Sequence, residues 1–212
     1  MTTNASLNFR TTLPTTQDSP RELYEETLKR FNLGSEWKTI LDWYEIKEIV
    51  GAGSYGSVVK ASCKFTGEIV AIKMVQNFTE HSYQLVKIIR EIQIMKSLTK
   101  MTSTKMSFFP RLIDLIVPDN TNASNLQVLF FVMDHIDTDM SKVISMGKLS
   151  GMKQEHVKNL MYNLLCAINF MHTANIVHRD LKPSNILMNQ HCQIRICDFG
   201  LARTVPQSVQ VP

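Results

Sequence analysis

A glycine-rich turn between two β-rich stretches restricts the fold of this chain more than any other part of its sequence. The turn follows Val50 and runs Gly51-Ala52-Gly53-Ser54-Tyr55-Gly56-Ser57-Val58. Glycines lack a Cβ atom, so backbone N–H groups in such a turn can close over phosphate oxygens. A plain hairpin is the alternative. A dinucleotide-binding turn would require a helix next, but the SVVKAS that follows has the composition of a strand, which excludes a Rossmann arrangement.

The remaining periodicity predicts an α+β fold in which a helix packs on a five-stranded antiparallel sheet. Three β-rich stretches, YEIKEIV, SVVKAS and EIVAIKMV, come first. Apolar residues at helical spacing from Leu85 to Met95 then predict a helix of about 15 residues. Two more strands, RLIDLIV and LQVLFFVM, flank the polar loop PDNTNASN. Beyond Asp139 the pattern becomes helical, and apolar positions from Val157 to Met171 predict a core helix.

Residues 1–43 form an N-terminal extension ahead of the first strand. Its first 20 residues or so are polar and rich in Thr, which is typical of a loosely held tail. A short helix over RELYEETLKRF follows, and we expect Asp18, Ser19 and Pro20 to open it and Gly34 to close it.

Composition excludes several classes of partner and environment. The net charge of +4 is spread along the chain, so there is no basic stripe for nucleic acid. The apolar run from Val128 to Met133 is far shorter than the roughly 20 residues of a membrane-spanning helix. Four cysteines without a CxxC spacing predict free thiols in a reducing compartment. We therefore expect the cytoplasm, with the nucleus as an additional site, and no membrane or nucleic-acid partner.

Two charged residues point to an anionic ligand near the sheet. Lys73 ends the apolar stretch Val70-Ala71-Ile72, and an unpaired ammonium in a buried strand is costly unless a phosphate or carboxylate meets it. Glu91, one position from the apolar face of the predicted helix, is a candidate partner. The alternative for Glu91 is an ordinary exposed helix residue.

The second half of the chain concentrates polar chemistry in two short segments. His178-Arg179-Asp180-Leu-Lys182-Pro-Ser-Asn185 places a potential base, two cations and an amide within eight residues. Asp198-Phe199-Gly200 then supplies a carboxylate on a turn. Asn185 and Asp198 offer the oxygen ligands that Mg²⁺ prefers, and the other coordination positions would be filled by water and phosphates.

Taken in order, the glycine loop, strand Lys, helix Glu, HRDxKxxN and DFG resemble the eukaryotic protein kinases. The resemblance covers about Tyr44 to Arg203. Within that family the sequence is most similar to mitogen-activated protein kinases. The similarity is carried by the segments GAGSYGSV, REIQIM, MDHIDTDM, MHTANIVHRDLKPSNIL and ICDFGLAR. Cyclin-dependent kinases are the nearest rival, and in that family the positions of Ser54 and Tyr55 carry inhibitory phosphorylation.

The resemblance implies how a nucleotide would be bound. Gly51, Gly53 and Gly56 would cover the ATP phosphates, with Val50, Ala52, Ser54, Tyr55 and Ser57 completing the loop. Lys73 would bind the α- and β-phosphates while paired with Glu91. Val58 and Ala71 would sandwich the adenine ring beside the gatekeeper Met133. The Asp134 carbonyl and the Ile136 N–H of the hinge would grip adenine, and Asp139 would reach the ribose.

The resemblance also implies the catalytic roles. Asp180 would orient the attacking hydroxyl, and Asn185 with Asp198 would hold Mg²⁺. Lys182 corresponds to the serine/threonine form and would place a cation beside the transferring phosphoryl group. His178 and Phe199 are expected to pack as structural residues.

These implications predict a bilobal kinase fold with an N-lobe and hinge at 44–136 and a partial C-lobe at 137–212. The chain ends before the activation segment and later helices of the family, so the helix over 153–172 should expose apolar surface. The function expected is Mg-ATP-dependent phosphorylation of serine or threonine in protein substrates, with a possible upstream activating kinase as a second partner. The alternative is a truncated, catalytically weak fragment that binds nucleotide or a partner.

Overall fold

The structure of the chain, a computed structural model, describes residues 21–53, 56–79, 82–101, 107–118, 126–147 and 151–205. These residues form two compact units. The first unit takes its residues from 21–84 and 112–135, and the second from 85–111 and 136–205. Residues 85–111 thus group with the second unit, whereas the sequence placed them in the N-lobe. The predicted lobe boundaries stay a prediction.

A five-stranded antiparallel sheet forms the centre of the first unit, which confirms the predicted sheet. Its strands are β1 (Tyr44–Gly53), β2 (Gly56–Cys63), β3 (Ile69–Gln76), β4 (Leu112–Ile116) and β5 (Val128–Asp134), in the order β1-β2-β3-β5-β4. Successive side chains of a strand point to opposite faces of the sheet. On β3, Val70, Ile72 and Met74 are buried on one face, while Ala71 and Lys73 lie on the other.

Residues 21–43 pack on the sheet face that carries Val70, Ile72 and Met74, and we call this segment the N-terminal cap. It consists of α1 (Arg21–Phe31), a 3-10 turn (Ser35–Trp37) and α2 (Lys38–Leu41). Buried side chains of the cap join those of the sheet in one apolar cluster; the cap contributes Leu28, Trp37, Ile40, Leu41 and Trp43. Burying apolar area of this kind is the main force that holds such a segment in place.

Helix α1 ends at an asparagine, so the prediction that Gly34 closes it is wrong. Asn32 has a φ of 49°, and the Leu33 N–H donates to the Leu28 carbonyl at 2.9 Å. The Asn32 N–H also donates to the Lys29 carbonyl at 3.2 Å. This is a Schellman motif, and asparagine tolerates its left-handed position. Residues 18–20, which we expect to open the helix, lie outside the described residues.

The second unit combines helices with two small sheets. Its helices are α3 (Ser82–Met101), which groups with this unit from Leu85 onward, α4 (Met140–Ser145) and α5 (Gln154–Thr173). One sheet joins β6 (Thr138–Asp139), β8 (Ile186–Met188) and β9 (Ile194–Ile196), and the other pairs β7 (Ile176–Val177) with β10 (Arg203–Thr204). The predicted packing of α3 on the five-stranded sheet stays a prediction.

The apolar positions of α5, predicted as a core helix, divide between a buried and an exposed stripe. Leu160 and Met171 are buried, whereas Val157, Met161 and Leu165 are 45%, 51% and 60% exposed. The exposed stripe repeats every four residues along one side of the helix. The helix thus exposes apolar surface, as expected from the sequence. Within the described residues, no helix is long and apolar enough to cross a membrane.

Candidate active site

The glycine-rich segment is the tip of the β1–β2 hairpin. Gly51 pairs with Val58, Ala52 with Ser57 and Gly53 with Gly56. Val50 lies on β1 just before the turn, and Ser54 and Tyr55 lie outside the described residues. A strand follows the glycines, which confirms that the segment is not a dinucleotide-binding turn.

Two of these glycines have different surroundings. At Gly56 the φ is 134°, and a Cβ atom would lie 2.0 Å from the Met74 carbonyl oxygen of β3. Only glycine allows β2 to begin this close to β3. At Gly51 a Cβ would meet nothing within 4 Å. Its backbone therefore borders open space, as a loop that covers a phosphate requires.

Strand register brings the predicted nucleotide residues of the first unit onto one face of the sheet. Val58 pairs with Lys73, and Lys73 pairs with Phe131. One step along the sheet, Ala71 pairs with Met133. The Lys73 Nζ lies 5.5 Å from the centroid of the Phe131 ring, within cation–π range. Phe131 lies directly opposite Lys73 but was not among the predicted site residues, because the register between two strands is not specified by the pattern within either one.

Three further predicted residues are placed by neighbouring elements. Asp134 ends β5 opposite Val70, and Ile136 begins the second part of the second unit. Glu91, on α3, is only 6% exposed. The alternative that Glu91 is an ordinary exposed helix residue is therefore wrong, while its pairing with Lys73 stays a prediction.

The loop after β7 gathers Asp180, Lys182 and Asn185 into one cluster. The Lys182 Nζ donates to Asp180 Oδ2 at 2.8 Å. The Asn185 Nδ2 donates to the Asp180 carbonyl oxygen at 2.9 Å and to Asp180 Oδ2 at 3.2 Å. Pro183 begins the short 3-10 turn that ends at Asn185. Because proline presets φ, this turn returns the Asn185 side chain toward Asp180.

The partners of Asp180 favour its ionised form. The hydrogen bond from Lys182 lowers the pKa of this carboxyl below its ordinary value of 3.8, and the positive charge of Lys182 and the Asn185 hydrogen bond act in the same direction. Partial burial opposes the shift and is outweighed. Asp180 is thus a carboxylate at neutral pH and can accept a hydrogen bond from a hydroxyl group.

His178 has a structural place next to this cluster. Its Nδ1 accepts from the Asp180 N–H at 3.3 Å, and its Nε2 donates to the Cys197 carbonyl at 2.9 Å. The ring is 1% exposed and lies 5.3 Å from the ring of Phe199, centroid to centroid. Both nitrogens are used by backbone groups of two separate segments, so the histidine ties the loop to the stretch around Phe199.

The β8–β9 hairpin brings the two predicted metal ligands to the same end. Ile186, the first residue of β8, pairs with Ile196, the last residue of β9. Asn185, just before β8, and Cys197, just after β9, therefore lie at the same end of the hairpin. The Cys197 N–H donates to the Asn185 carbonyl at 3.0 Å. Asp198 comes next with a φ of 67°, a conformation that is strained for most residues and tolerated by aspartate.

The donor set at this end fits a magnesium ion. The hydrogen bonds of the Asn185 side chain use its NH₂ group, which leaves the carbonyl oxygen Oδ1 as a ligand. Asp198 is exposed and supplies a carboxylate. Among the described residues there is no cluster of three or more His, Cys, Asp or Glu side chains that could enclose a metal. Mg²⁺ typically takes one or two protein oxygens plus phosphates and water, rather than a complete protein cage.

Comparison with known proteins identifies the family. The protein kinase domain family matches residues 44–211, most of the chain. This chain belongs to the protein kinase domain family. The resemblance inferred from the glycine loop, HRDxKxxN and DFG is thereby confirmed.

The relatives of this kinase domain include several mitogen-activated protein kinases. Mitogen-activated protein kinase 7 of Oryza sativa subsp. japonica is 39% identical over 160 residues, which are 76% of this chain and 26% of that protein. Mitogen-activated protein kinase 13 of Oryza sativa subsp. indica is 38% identical, with 76% and 30% covered. Mitogen-activated protein kinase 20 of Arabidopsis thaliana is 36% identical, with 76% and 25% covered. The chain thus spans less than a third of the length of these curated relatives.

Asp139 of the kinase domain has a role that the sequence analysis missed. Its Oδ1 accepts from the Lys142 N–H at 2.9 Å, so the side chain caps the N-terminus of α4. An aspartate three residues before the third N–H of a helix is a recognisable capping signal. Ribose binding by Asp139 stays a prediction.

Proposed function

We propose that this chain carries the ATP-binding and catalytic residues of a protein serine/threonine kinase of mitogen-activated type. The reaction is transfer of the γ-phosphoryl group of Mg-ATP to serine or threonine of protein substrates. The main support is the group formed by ionised Asp180, its partner Lys182, and the oxygens of Asn185 and Asp198 at one end of the β8–β9 hairpin.

Phosphoryl transfer depends mostly on positioning and electrostatics. Asp180, a carboxylate whose pKa is lowered further by Lys182, accepts the hydrogen bond of the substrate hydroxyl and orients its oxygen for in-line attack. Lys182 adds a positive charge where negative charge develops on the phosphoryl oxygens. Asn185 Oδ1 and Asp198 would hold Mg²⁺, which would supply positive charge to neutralise the phosphates.

Most of the nucleotide contacts in this proposal come from the first unit. Backbone N–H groups near Gly51 and Gly56 cover the phosphates, and Lys73 binds the α- and β-phosphates while paired with Glu91. Val58 and Ala71 lie on the Lys73 face of the sheet, as an adenine sandwich requires. The remaining contacts assigned to the nucleotide are those of Met133, Asp134, Ile136 and Asp139.

The mitogen-activated protein kinases among the relatives also suggest partners. We propose protein substrates and an upstream activating kinase, in the cytoplasm and the nucleus. None of the four cysteines forms a disulfide, in keeping with a reducing compartment. No contact within the described residues favours the alternative of a fragment that only binds.

Replacing Asp198 with asparagine tests the proposed metal site. Asparagine tolerates a φ of 67° as well as aspartate does, so the fold should persist. Binding of ATP is measured by calorimetry with and without Mg²⁺, and phosphotransfer is measured with dephosphorylated casein. We expect Asp198→Asn to lose the Mg²⁺-dependent part of ATP binding and any phosphotransfer.

The exposed Glu155 of α5, in the same unit, provides the matched control. Glu155→Gln likewise replaces a carboxylate with an amide, away from the residues assigned to the nucleotide and the metal, and should behave as the wild type. Mg²⁺-dependent ATP binding that survives in Asp198→Asn would refute the metal assignment, and a wild-type chain that does not bind ATP would refute the proposed function.

A further inference from the structure

The N-terminal cap lies directly behind the strands that carry the nucleotide residues. On β3, Ile72 belongs to the cap cluster, and its neighbours Ala71 and Lys73 lie on the opposite face. On β5, Phe130 and Val132 belong to the cluster. Side chains alternate along a strand, so the cap packs on the backs of strands whose fronts carry the predicted adenine and phosphate contacts.

Trp37 of the cap packs directly against Phe130 of β5. Its side chain is fully buried, and its ring meets that of Phe130 edge to face at a centroid distance of 5.2 Å. Aromatic pairs in this geometry stabilise beyond the area that they bury. Phe130 is itself fully buried. The indole therefore fills the space behind β5, and its removal would leave a cavity that the close-packed surroundings fill only in part.

One residue further along β5, the opposite face carries Phe131. Phe131 is the register partner of Lys73, and its ring lies beneath the Lys73 Nζ at 5.5 Å. A shift of β5 on the cap side would therefore move both the backbone that pairs with Lys73 and the ring that supports its ammonium group.

Contacts within the first unit fix the orientation of the cap. The Tyr24 hydroxyl donates to Asp42, which joins α1 to the end of α2. Lys38 forms an ion pair with Glu25. The Lys64 N–H donates to the Trp43 carbonyl at 2.8 Å, which joins the cap to the turn after β2. Trp37 lies between these attachments in the sequence.

We propose that Trp37 is a positioning residue for nucleotide binding, acting through Phe130 and β5 on Lys73. The inference rests on the proposed function, in which Lys73 binds ATP phosphates. It goes beyond that function because Trp37 precedes residue 44, where the match to the protein kinase domain begins. In this proposal the N-terminal extension helps to position the nucleotide-binding residue Lys73.

The test compares Trp37→Ala and Trp37→Phe with the wild-type chain, well below their melting temperatures. Two quantities are measured: the Kd for Mg-ATP, and the rate at which an activated ester acylates Lys73, read by mass spectrometry. The exposed Lys158 of α5 is the internal reference for the acylation rate. Residues that couple to a site through packing change its affinity by roughly 2- to 30-fold.

We expect Trp37→Ala to raise the Kd for Mg-ATP within that range and to change the Lys73 acylation rate at least about twofold relative to Lys158. Trp37→Phe keeps an aromatic ring and should show a smaller change in the same direction. If Trp37→Ala does not fold, Trp37→Phe decides the question. A lower melting temperature with unchanged Kd and unchanged Lys73 acylation would overturn the proposal, because a purely structural role predicts that result.

Met171→Ala provides the control for loss of stability alone. It empties a fully buried position of α5 in the second unit and should lower the melting temperature while leaving Lys73 acylation unchanged. A matching change of Lys73 acylation in Met171→Ala would overturn the proposal. If the wild type does not bind Mg-ATP, the proposed function fails, while the acylation rates still decide whether Trp37 positions Lys73.

Discussion

Replacing Gly56 with alanine should destabilise the chain sharply. Two independent costs arise at this position. The φ of 134° lies outside the range of L side chains, and the new Cβ would be 2.0 Å from the Met74 carbonyl oxygen. The obstacle is the backbone of β3, which cannot rotate away as a flexible side chain would, so β2 must move from β3 or the turn must change its path.

The magnitude follows from these two costs. A residue held in such a backbone region costs on the order of 1–3 kcal/mol, and forced overpacking adds typically about 1–3 kcal/mol. The free energy of unfolding should therefore fall by roughly 2–6 kcal/mol. For a chain of this length, that corresponds to a fall in melting temperature of roughly 4–24 °C.

Gly51→Ala is the matched control, since it makes the same chemical change in the same loop. No atom lies within 4 Å of its new Cβ, and its φ is outside the left-handed range. Its melting temperature, followed by circular dichroism, should stay within about 2 °C of the wild type. If Gly56→Ala melts within about 2 °C of Gly51→Ala, the argument from the close approach of β2 to β3 is wrong.

Two further variants test local features of the two units. Lys182→Met removes the largest cause of the low pKa of Asp180, so that pKa should rise toward 3.8 in a carbon-13 NMR titration. Because the pKa of Asp180 is lower in the folded state, its pair with Lys182 stabilises the fold above the unfolded pKa, and this stabilisation is lost as pH falls through the folded pKa. Lys182→Met should therefore lose less folding stability on acidification than the wild type. An unchanged pKa of Asp180 in this variant would contradict the assignment of Lys182 as its main partner. Asn32→Ala removes the short polar side chain that lets asparagine tolerate a φ of 49°, so it should lower the free energy of unfolding by about 1 kcal/mol, whereas Asn32→Gly should not.

The sequence predicts the five strands well because each has a β-rich composition and a clear boundary. The stretch EIVAIKMV predicts β3, which spans Ile69–Gln76, and LQVLFFVM predicts β5, which spans Val128–Asp134. Their pairing places Lys73 opposite Phe131. That contact joins residues 58 positions apart in the chain, so it depends on register, which periodicity within one strand does not specify.

The N-terminal cap could be predicted only as a helix followed by a turn. Trp37 ends a short 3-10 turn, and Trp43 lies in the turn between the four-residue helix α2 and β1, so neither belongs to an amphipathic repeat. Their burial comes from the sheet face behind β3 and β5, a tertiary contact that local pattern does not reveal. The error at Gly34 has a similar origin, since Asn32 takes the left-handed position two residues earlier.

The candidate site divides into parts that depend on different kinds of structure. Asp180, Lys182 and Asn185 are held within a six-residue loop, and a hairpin of two three-residue strands adds Asp198. These contacts join residues that are close together in the sequence, so the motifs HRDxKxxN and DFG are enough to identify the catalytic residues. The nucleotide face depends instead on the register of three strands and on what packs behind them. Motifs therefore identify the catalytic residues of this chain, while the residues that position Lys73 must be sought in the packing of the sheet, including segments outside any motif.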